Sequence, residues 1–477
     1  MLEKIKELEM EARKLEPGYA DRAVLIEQVT AYSQTFLEAL PEKKSYKQET
    51  NQWVDSMFPE GPESIDSILD WIHKSIDQSG INTTSGRHFG YIPGGGVFPS
   101  ALGDYIAAVS NRYSGIYFAS PGAVQLEQDL INWMCELIGY DKTLSGGTLT
   151  SGGSIANLTA IVNARDAAGL KSDDFSRAVV YCTQQTHHCI PKALKIAGMS
   201  ETPIRIIPMQ DFKMKSDALE NAIVADSRNG LNPWMVVGSA GTTDTGAIDP
   251  LDALGACAEK HGLWLHVDAA YGGAFLVVEK GKELMKGIEK ADSVIIDPHK
   301  GFFIPYGSGA IMVKDKNKLL NSFSERANYM QDAVASNETS SPSDLSPELS
   351  RPFRGLRLWL PIKLFGVAPF QAALEEKILL CQYFHLQIEK WDRIEVGPYP
   401  ELSVTIFRYL PTDQKPNQFN ERLVKNIQTN GRIFLSSTTI DGHFYIRMAV
   451  VSFSSHLAEV DMALAEINKQ IRDLNAS

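Results

Sequence analysis

A lysine that directly follows an apolar run is the feature of this chain with the clearest chemical consequence. Residues 294–296 are β-branched and apolar, and the sequence Asp297-Pro-His-Lys300 comes directly after them. An ammonium group at the end of a buried strand is costly unless it is neutralised or has a function, and desolvation lowers the pKa of a lysine. A neutral amine near neutral pH is a nucleophile toward aldehydes. Lys300 is therefore either an aldehyde-binding lysine or an ordinary loop lysine.

A glycine turn upstream could bind an anion. Thr150-Ser-Gly-Gly-Ser154 precedes a helical segment at residues 155–161. The glycines permit a tight turn with exposed N–H groups, and Ser154 is predicted to be the N-cap of the helix. A helix N-terminus with free amides suits a phosphate, but the same pattern is also typical of a capped helix without a ligand.

A single carboxylate lies near the end of the next predicted buried strand, at residues 263–270. Ligands of open α/β sheets bind at the carboxyl ends of strands, so Asp268 is a candidate site residue. A buried carboxylate needs a partner, which could be a protonated pyridine nitrogen or backbone amides. A metal ion is a further alternative, because His266 shares a strand face with Asp268.

Two adjacent histidines follow a predicted strand at residues 178–182. An imidazole can stack on a flat heteroaromatic ring or transfer protons. His187 and His188 are expected to point to opposite sides, so that at most one of them serves a site.

These segments supply a phosphate cradle, a stacking histidine, a carboxylate for a pyridinium and an amine for an aldehyde, which are the parts of a pyridoxal 5′-phosphate (PLP) site. Their order resembles one family, the group II PLP-dependent amino-acid decarboxylases, which act on aromatic amino acids or glutamate. Residues 266–273 and 297–300 look like the two signature segments of that family.

The resemblance implies a role for each residue in the PLP site. Lys300 would hold PLP as an internal aldimine, and Asp268 would pair with the pyridine nitrogen. His187 would stack on the ring and help to orient the substrate carboxylate, while Gly153 and Ser154 would bind the phosphate.

Further residues of the site follow from the same resemblance. His299 would add a phosphate contact, and Thr243 and Ala270 would lie beside the ring. Asp297 is a departure, since many members have asparagine there, and a carboxylate near a phosphate is expected to point away or pair with a cation. No metal is expected.

The resemblance also implies a substrate pocket and a partner subunit. Tyr91, Pro93, Gly94 and Tyr306 fall at positions that line the substrate pocket in the family, whose active sites lie at a homodimer interface. The implied reaction is decarboxylation of an L-amino acid, with aromatic substrates favoured, to an amine and carbon dioxide.

One departure leaves the product open. Family decarboxylases carry a proton-donating tyrosine on a mobile loop, and the matching residues 333–347 contain none, although Tyr329 precedes them. The alternatives are an aldehyde synthase, which decarboxylates with oxidative deamination, and a catalytically silent dimeric homologue.

Composition agrees with this interpretation. The net charge of −12 argues against a nucleic-acid binder, and five cysteines without paired metal spacing suit a reducing cytoplasm. No apolar run approaches the length of a membrane span.

Strand-like runs that alternate with helical ones predict an α/β fold with a mainly parallel sheet. The resemblance specifies the PLP-dependent transferase type, aspartate aminotransferase fold type I. The predicted domains are a helical dimerisation arm (residues 1–85), a large PLP-binding domain (86–360) and a smaller α+β domain (361–477).

Overall fold

The computed structural model describes residues 1–48, 61–324 and 340–476. The strands are β1 (Tyr46–Lys47), β2 (Gly80–Ile81), β3 (His88–Phe89), β4 (Gly146–Thr150), β5 (Ala178–Cys182), β6 (Ile204–Ile206), β7 (Met209–Gln210), β8 (Lys213–Met214), β9 (Asn232–Ser239), β10 (Trp264–Asp268), β11 (Ser293–Ile296), β12 (Gly309–Val313), β13 (Ile394–Val396), β14 (Val404–Tyr409), β15 (Phe434–Ile440) and β16 (His443–Ala449).

The α-helices lie mainly between these strands and at the two ends of the chain. They are α1 (Leu2–Ala12), α2 (Tyr19–Glu38), α3 (Ile65–Ser75), α4 (Phe98–Ser110), α5 (Pro121–Ile138), α6 (Gly153–Ala167), α7 (Cys189–Ile196), α8 (Ser216–Arg228), α9 (Leu251–His261), α10 (Glu279–Leu284), α11 (Pro298–Gly301), α12 (Lys316–Phe323), α13 (Gly355–Phe365), α14 (Ala368–Ile388), α15 (Pro416–Asn430) and α16 (Leu457–Ala476). Short 3-10 helices cover Arg13–Leu15, Ser172–Asp174, Gly272–Val277, Ile288–Lys290 and Pro342–Asp344.

A seven-stranded sheet in the order β4-β12-β11-β10-β9-β5-β6 forms the centre of the fold. β12 is antiparallel to both of its neighbours, and the pairs among β11, β10, β9, β5 and β6 are parallel. β5 and β11 are buried along their whole length, as expected for strands that helices cover on both faces. The predicted mainly parallel sheet is confirmed.

The register brings the ends of the parallel strands together. Asp268 at the end of β10 is paired with Ser239 of β9 and with Ile295 of β11. The loops that follow β4, β5, β9, β10 and β11 therefore meet at one edge of the sheet. This is the edge at which the residues predicted from the sequence converge.

A second sheet, in the order β13-β14-β16-β15-β3, forms the C-terminal α+β region. β3 joins it because the backbone of His88 and Phe89 pairs in parallel with Phe434 and Leu435. A strand just inside the predicted large domain thus completes the C-terminal sheet. The predicted boundary at residue 360 also falls inside α13, because that helix continues without a break to Phe365.

The N-terminal helices α1, α2 and α3 contain no fully buried residue. Apolar side chains of α1 are exposed, among them Leu2, Ile5 and Leu8. Among the described residues, none of the helices is both long enough and apolar enough to cross a membrane.

Candidate active site

A cavity of about 310 Å³ lies at the carboxyl edge of the central sheet. Nine residues predicted to form a cofactor site line it: Gly153, Ser154, His187, Thr243, Asp268, Ala270, Asp297, His299 and Lys300. They come from five separate connections of the sheet, and the parallel register explains how they meet.

Lys300 points into this cavity from α11, which begins directly after β11. Its Nζ lies 3.1 Å from Oδ2 of Asp297. Burial lowers the pKa of Lys300, but the carboxylates of Asp297 and Asp268 outweigh it and raise that pKa above its ordinary value. The direction of this shift is opposite to the one that desolvation alone predicts.

Of the two carboxylates that raise the pKa of Lys300, Asp297 has the larger effect. Its side chain is 2% exposed, and the Nε2 atom of His299 lies 3.9 Å from it. The Oδ1 atom of Asp297 is buried without a hydrogen-bond partner in the described part of the chain. Two arrangements were expected for Asp297, and the structure shows the second of them. The carboxylate pairs with a cation, which is Lys300.

The glycine turn forms one wall of the cavity, although its cap differs from the prediction. α6 begins at Gly153 with Gly152 as its N-cap, so Ser154 lies inside the first turn. Gly152 has φ +152°, a conformation that favours glycine, and this residue rather than Ser154 ends the turn. A Cβ atom at Gly153 would lie 2.8 Å from Oδ2 of Asp297. The glycine at position 153 therefore allows the turn to approach the Asp297 carboxylate closely.

This wall has the chemistry that a phosphate requires. The first N–H groups of α6 have no acceptor within the helix, and the helix dipole favours negative charge there. The Ser154 hydroxyl lies in the same turn, and His299 lines the cavity beside it. The residues present thus fit the phosphate of PLP.

Asp268 also lines the cavity, and it is held by two N–H donors. Its Oδ2 accepts a hydrogen bond from Nδ2 of Asn157 at 3.2 Å, and its Oδ1 accepts one from the N–H of Ala270 at 3.1 Å. His266, behind Asp268, has both ring nitrogens engaged, by Ser293 at 2.9 Å and by Asn157 at 2.7 Å. The alternative of a metal bound by His266 and Asp268 is therefore wrong.

His187 and His188 contact each other instead of pointing to opposite sides. Their ring centroids are 4.1 Å apart at an interplanar angle of 41°. Only His187 lines the cavity, and its Nδ1 accepts a hydrogen bond from the N–H of Cys189 at 3.3 Å. Burial lowers the pKa of His187, so its ring is neutral near neutral pH.

The predicted substrate residues lie beside the cavity and not in its lining. Tyr91 and Tyr306 are more than half exposed, whereas Pro93 and Gly94 are buried. A Cβ atom at Gly94 would lie 3.0 Å from the Tyr306 ring and 3.1 Å from the carbonyl oxygen of His299. This contact places Tyr306 and Gly94 next to His299, which does line the cavity.

Arg447 is a residue that the sequence interpretation missed. It is 2% exposed, and it donates from Nε to the Thr243 carbonyl at 2.7 Å and from Nη1 to the Tyr91 carbonyl at 2.6 Å. Its Nη2 atom has no partner in the described part of the chain, and burial lowers its pKa to about 10. A single arginine in the apolar run at residues 444–451 was the available signal.

Residues 333–347, which match the mobile loop of the family, lie partly outside the described residues. Tyr329 and residues 333–339 lie outside the described residues. The later part of the segment contains the 3-10 helix Pro342–Asp344.

Comparison with known proteins gives a consistent result. The family model described as "Pyridoxal-dependent decarboxylase conserved domain" matches residues 47–410. An aromatic-L-amino-acid decarboxylase of Bacillus atrophaeus is 30% identical over 433 residues, which are 90% of this chain and 89% of that protein. A phenylacetaldehyde synthase of Petunia hybrida is 30% identical over 436 residues, with 86% of each chain covered.

A solved structure supports the fold independently. The crystal structure of Oryza sativa TDC with PLP and tryptamine has a TM-score of 0.90 at 24% identity, covering 96% of this chain and 99% of that one. The predicted fold type, cofactor and enzyme class are confirmed. The chain belongs to the pyridoxal-dependent decarboxylase family and is a carboxy-lyase that uses PLP.

Proposed function

We propose that this chain decarboxylates an aromatic L-amino acid to the corresponding amine. The single observation that carries the proposal is the convergence of Lys300, Asp268 and the turn at Gly153 in one cavity of about 310 Å³. The aromatic substrate is supported by the Bacillus atrophaeus relative and by the exposed rings of Tyr91 and Tyr306 near the cavity.

Five of the residues that line the cavity have a role in this proposal. Lys300 supplies the amine that attaches the cofactor, and the first turn of α6 at Gly153 and Ser154 binds its phosphate. His187 would pack on the face of the ring, and Asp268 would keep a proton on the ring nitrogen. When bound, PLP supplies an electron sink for the bond that breaks as carbon dioxide leaves.

The substrate carboxylate also needs a donor. Nη2 of Arg447 is buried and has no partner among the described residues, and the rest of the guanidinium is fixed by the carbonyls of Thr243 and Tyr91. A guanidinium is suited to a carboxylate because of its planar set of N–H donors. Arg447 is therefore the residue that we assign to the substrate carboxylate.

We also propose that the chain forms a homodimer and that it acts in the cytoplasm. The apolar side chains of α1 and α2 are exposed in the single chain, which supports an arm that packs on a second copy. All five cysteines are buried free thiols, which is typical of a reducing compartment.

Product analysis tests the proposed function. Purified protein loaded with PLP should release carbon dioxide from L-tryptophan, L-tyrosine or L-phenylalanine, with the amine as product identified by mass. L-Glutamate should react at least about tenfold more slowly, because a second carboxylate has to be desolvated beside exposed aromatic rings. Silence toward all four amino acids with PLP bound would contradict the proposal.

An aldehyde synthase is the second candidate. It is supported by the Petunia hybrida relative and by the absence of tyrosine from residues 333–347 of the sequence. The same assay separates the two, because aldehyde, ammonia and peroxide in place of amine would assign the chain to the second reaction.

Replacing Asp297 by asparagine should let PLP bind at lower pH. The Asp297 carboxylate stabilises the Lys300 ammonium at 3.1 Å, so its loss lowers the raised Lys300 pKa and frees the neutral amine at lower pH. The rate constant for PLP binding to cofactor-free protein, followed by absorbance, should rise roughly tenfold on the acidic side of its pH profile, which corresponds to about one pKa unit.

A second aspartate provides the control. Asp292 precedes the same strand and accepts a hydrogen bond from the N–H of Leu265 at 2.9 Å, outside the cavity. Asp292→Asn should keep the wild-type pH profile. An Asp297→Asn profile that coincides with that of the wild type would show that Asp297 does not control Lys300.

A further inference from the structure

We propose that Trp264, Ser293, His266 and Asn157 form a one-directional hydrogen-bond relay that fixes the orientation of the Asp268 carboxylate toward the cofactor ring. This inference rests on the proposed role of Asp268 and extends it to four residues, of which only Asn157 reaches the cavity. We assign them as positioning residues.

The relay is a continuous series of short contacts behind Asp268. Nε1 of Trp264 donates to Oγ of Ser293 at 2.9 Å, and the same oxygen lies 2.9 Å from Nδ1 of His266. Nε2 of His266 lies 2.7 Å from Oδ1 of Asn157, whose Nδ2 donates to Oδ2 of Asp268 at 3.2 Å. Ser293 and His266 are 0% exposed.

The two ends of the relay determine its direction. A carboxylate can only accept hydrogen bonds, so Asn157 must present its NH₂ group to Asp268 and its oxygen to His266. Nε2 of His266 then carries the proton, and Nδ1 accepts from the Ser293 hydroxyl. The indole of Trp264 can only donate, and it therefore occupies the oxygen of Ser293 in the same sense.

In this arrangement the polar groups of each residue in the relay have hydrogen-bond partners. Burial lowers the pKa of His266 to about 4, so the ring is neutral and has one proton to place. The second N–H of Asn157 donates to Sγ of Cys189 at 3.1 Å, and this contact favours the same orientation of the amide. The relay therefore ends with an N–H donor held toward Oδ2 of Asp268, which fixes the orientation of this carboxylate.

The fold itself does not require these polar contacts. β10 and β11 are already paired through their backbones, and α6 packs on the sheet through Ala156 and Ala160 in an apolar cluster. Buried polar side chains cost free energy unless they are bonded, so an apolar filling would be the simpler structural solution. The polar relay is consistent with a function at Asp268, where it ends.

Truncation of Asn157 with a matched control tests the relay. Asn157→Ala should raise the dissociation constant of PLP about tenfold, as expected for a lost hydrogen bond to a charged group. It should also change the visible spectrum of the bound cofactor, because the ring nitrogen holds its proton less well. Asn163→Ala provides the control, since Asn163 is equally buried on α6 but donates to Ser322 at 3.2 Å.

Ser293→Ala is a smaller change that keeps the test valid if Asn157→Ala does not fold. It removes one oxygen and with it the donor to Nδ1 of His266, so the ring can adopt the other tautomer. We expect a severalfold weaker affinity for PLP with the same change of spectrum. Melting temperatures of the cofactor-free variants report any loss of stability separately.

The outcomes distinguish the relay from the proposed function. Wild-type affinity and an unchanged spectrum in both Asn157→Ala and Ser293→Ala would overturn the relay and leave the proposed function intact. An equal loss of affinity in Asn163→Ala would also overturn it, because the effect would then be structural. Wild-type protein that binds no PLP would refute the proposed function and the relay together.

Discussion

Replacing Lys300 by alanine is expected to abolish the visible absorption band of bound PLP and to lower decarboxylation by about a thousandfold or more. Lys300 is the lysine that lines the cavity, and its Nζ is held by Asp297 on the side of the glycine turn. Without an amine at this place the cofactor has no covalent attachment, and any residual binding comes from the phosphate and the ring alone.

Two further variants make this prediction specific. Lys300→Arg keeps a positive charge for Asp297 but offers no amine that can attack an aldehyde, and it should be as inactive as Lys300→Ala. Lys290→Ala removes a lysine that pairs with Asp252 at 2.7 Å away from the cavity, and it should retain the band and the activity. Retention of the band in Lys300→Ala would show that another group attaches the cofactor.

The meeting of the site residues in one place was predictable, because the segments that carry them follow strands. The apolar runs before Thr183, Asp268 and Asp297 identified buried strands, and parallel strands place their carboxyl ends at one edge. No knowledge of the detailed packing was needed for this step. The seven-stranded sheet with its single antiparallel strand then accounts for the shared cavity.

The parts that were not predictable depend on contacts between distant residues. The Lys300 pKa is raised because two carboxylates converge on one ammonium, and sequence reasoning considered only its burial. Arg447 reaches Thr243 and Tyr91 from the C-terminal sheet, across more than 200 residues of chain. Asn157 lies one helical turn after Gly153, but only the packing of α6 on the sheet shows that it faces Asp268.

Replacing Asp268 by asparagine is the second variant with a large expected effect. PLP should remain attached to Lys300, while turnover falls by about a thousandfold, because the amide lacks the charge that keeps a proton on the ring nitrogen. The hydrogen bonds of the side chain at position 268 also become less favourable. Both oxygens of Asp268 accept hydrogen bonds from N–H groups, one from Asn157 and one from Ala270. The NH₂ group of an asparagine must face one of these donors, so a lower melting temperature is expected as well.

The loss of charge can be separated from the loss of fit by changing the cofactor. A PLP analogue methylated on the ring nitrogen carries a permanent positive charge and does not need a carboxylate to retain a proton. In the Asp268→Asn variant, this analogue should restore a measurable part of the turnover. In the wild type, the analogue should lower the turnover, because its methyl group is forced against Asp268. If the analogue restores nothing in a variant that still binds it, Asp268 acts mainly by positioning the ring. Recovery, in contrast, would establish that the charge on Asp268 is what the reaction requires.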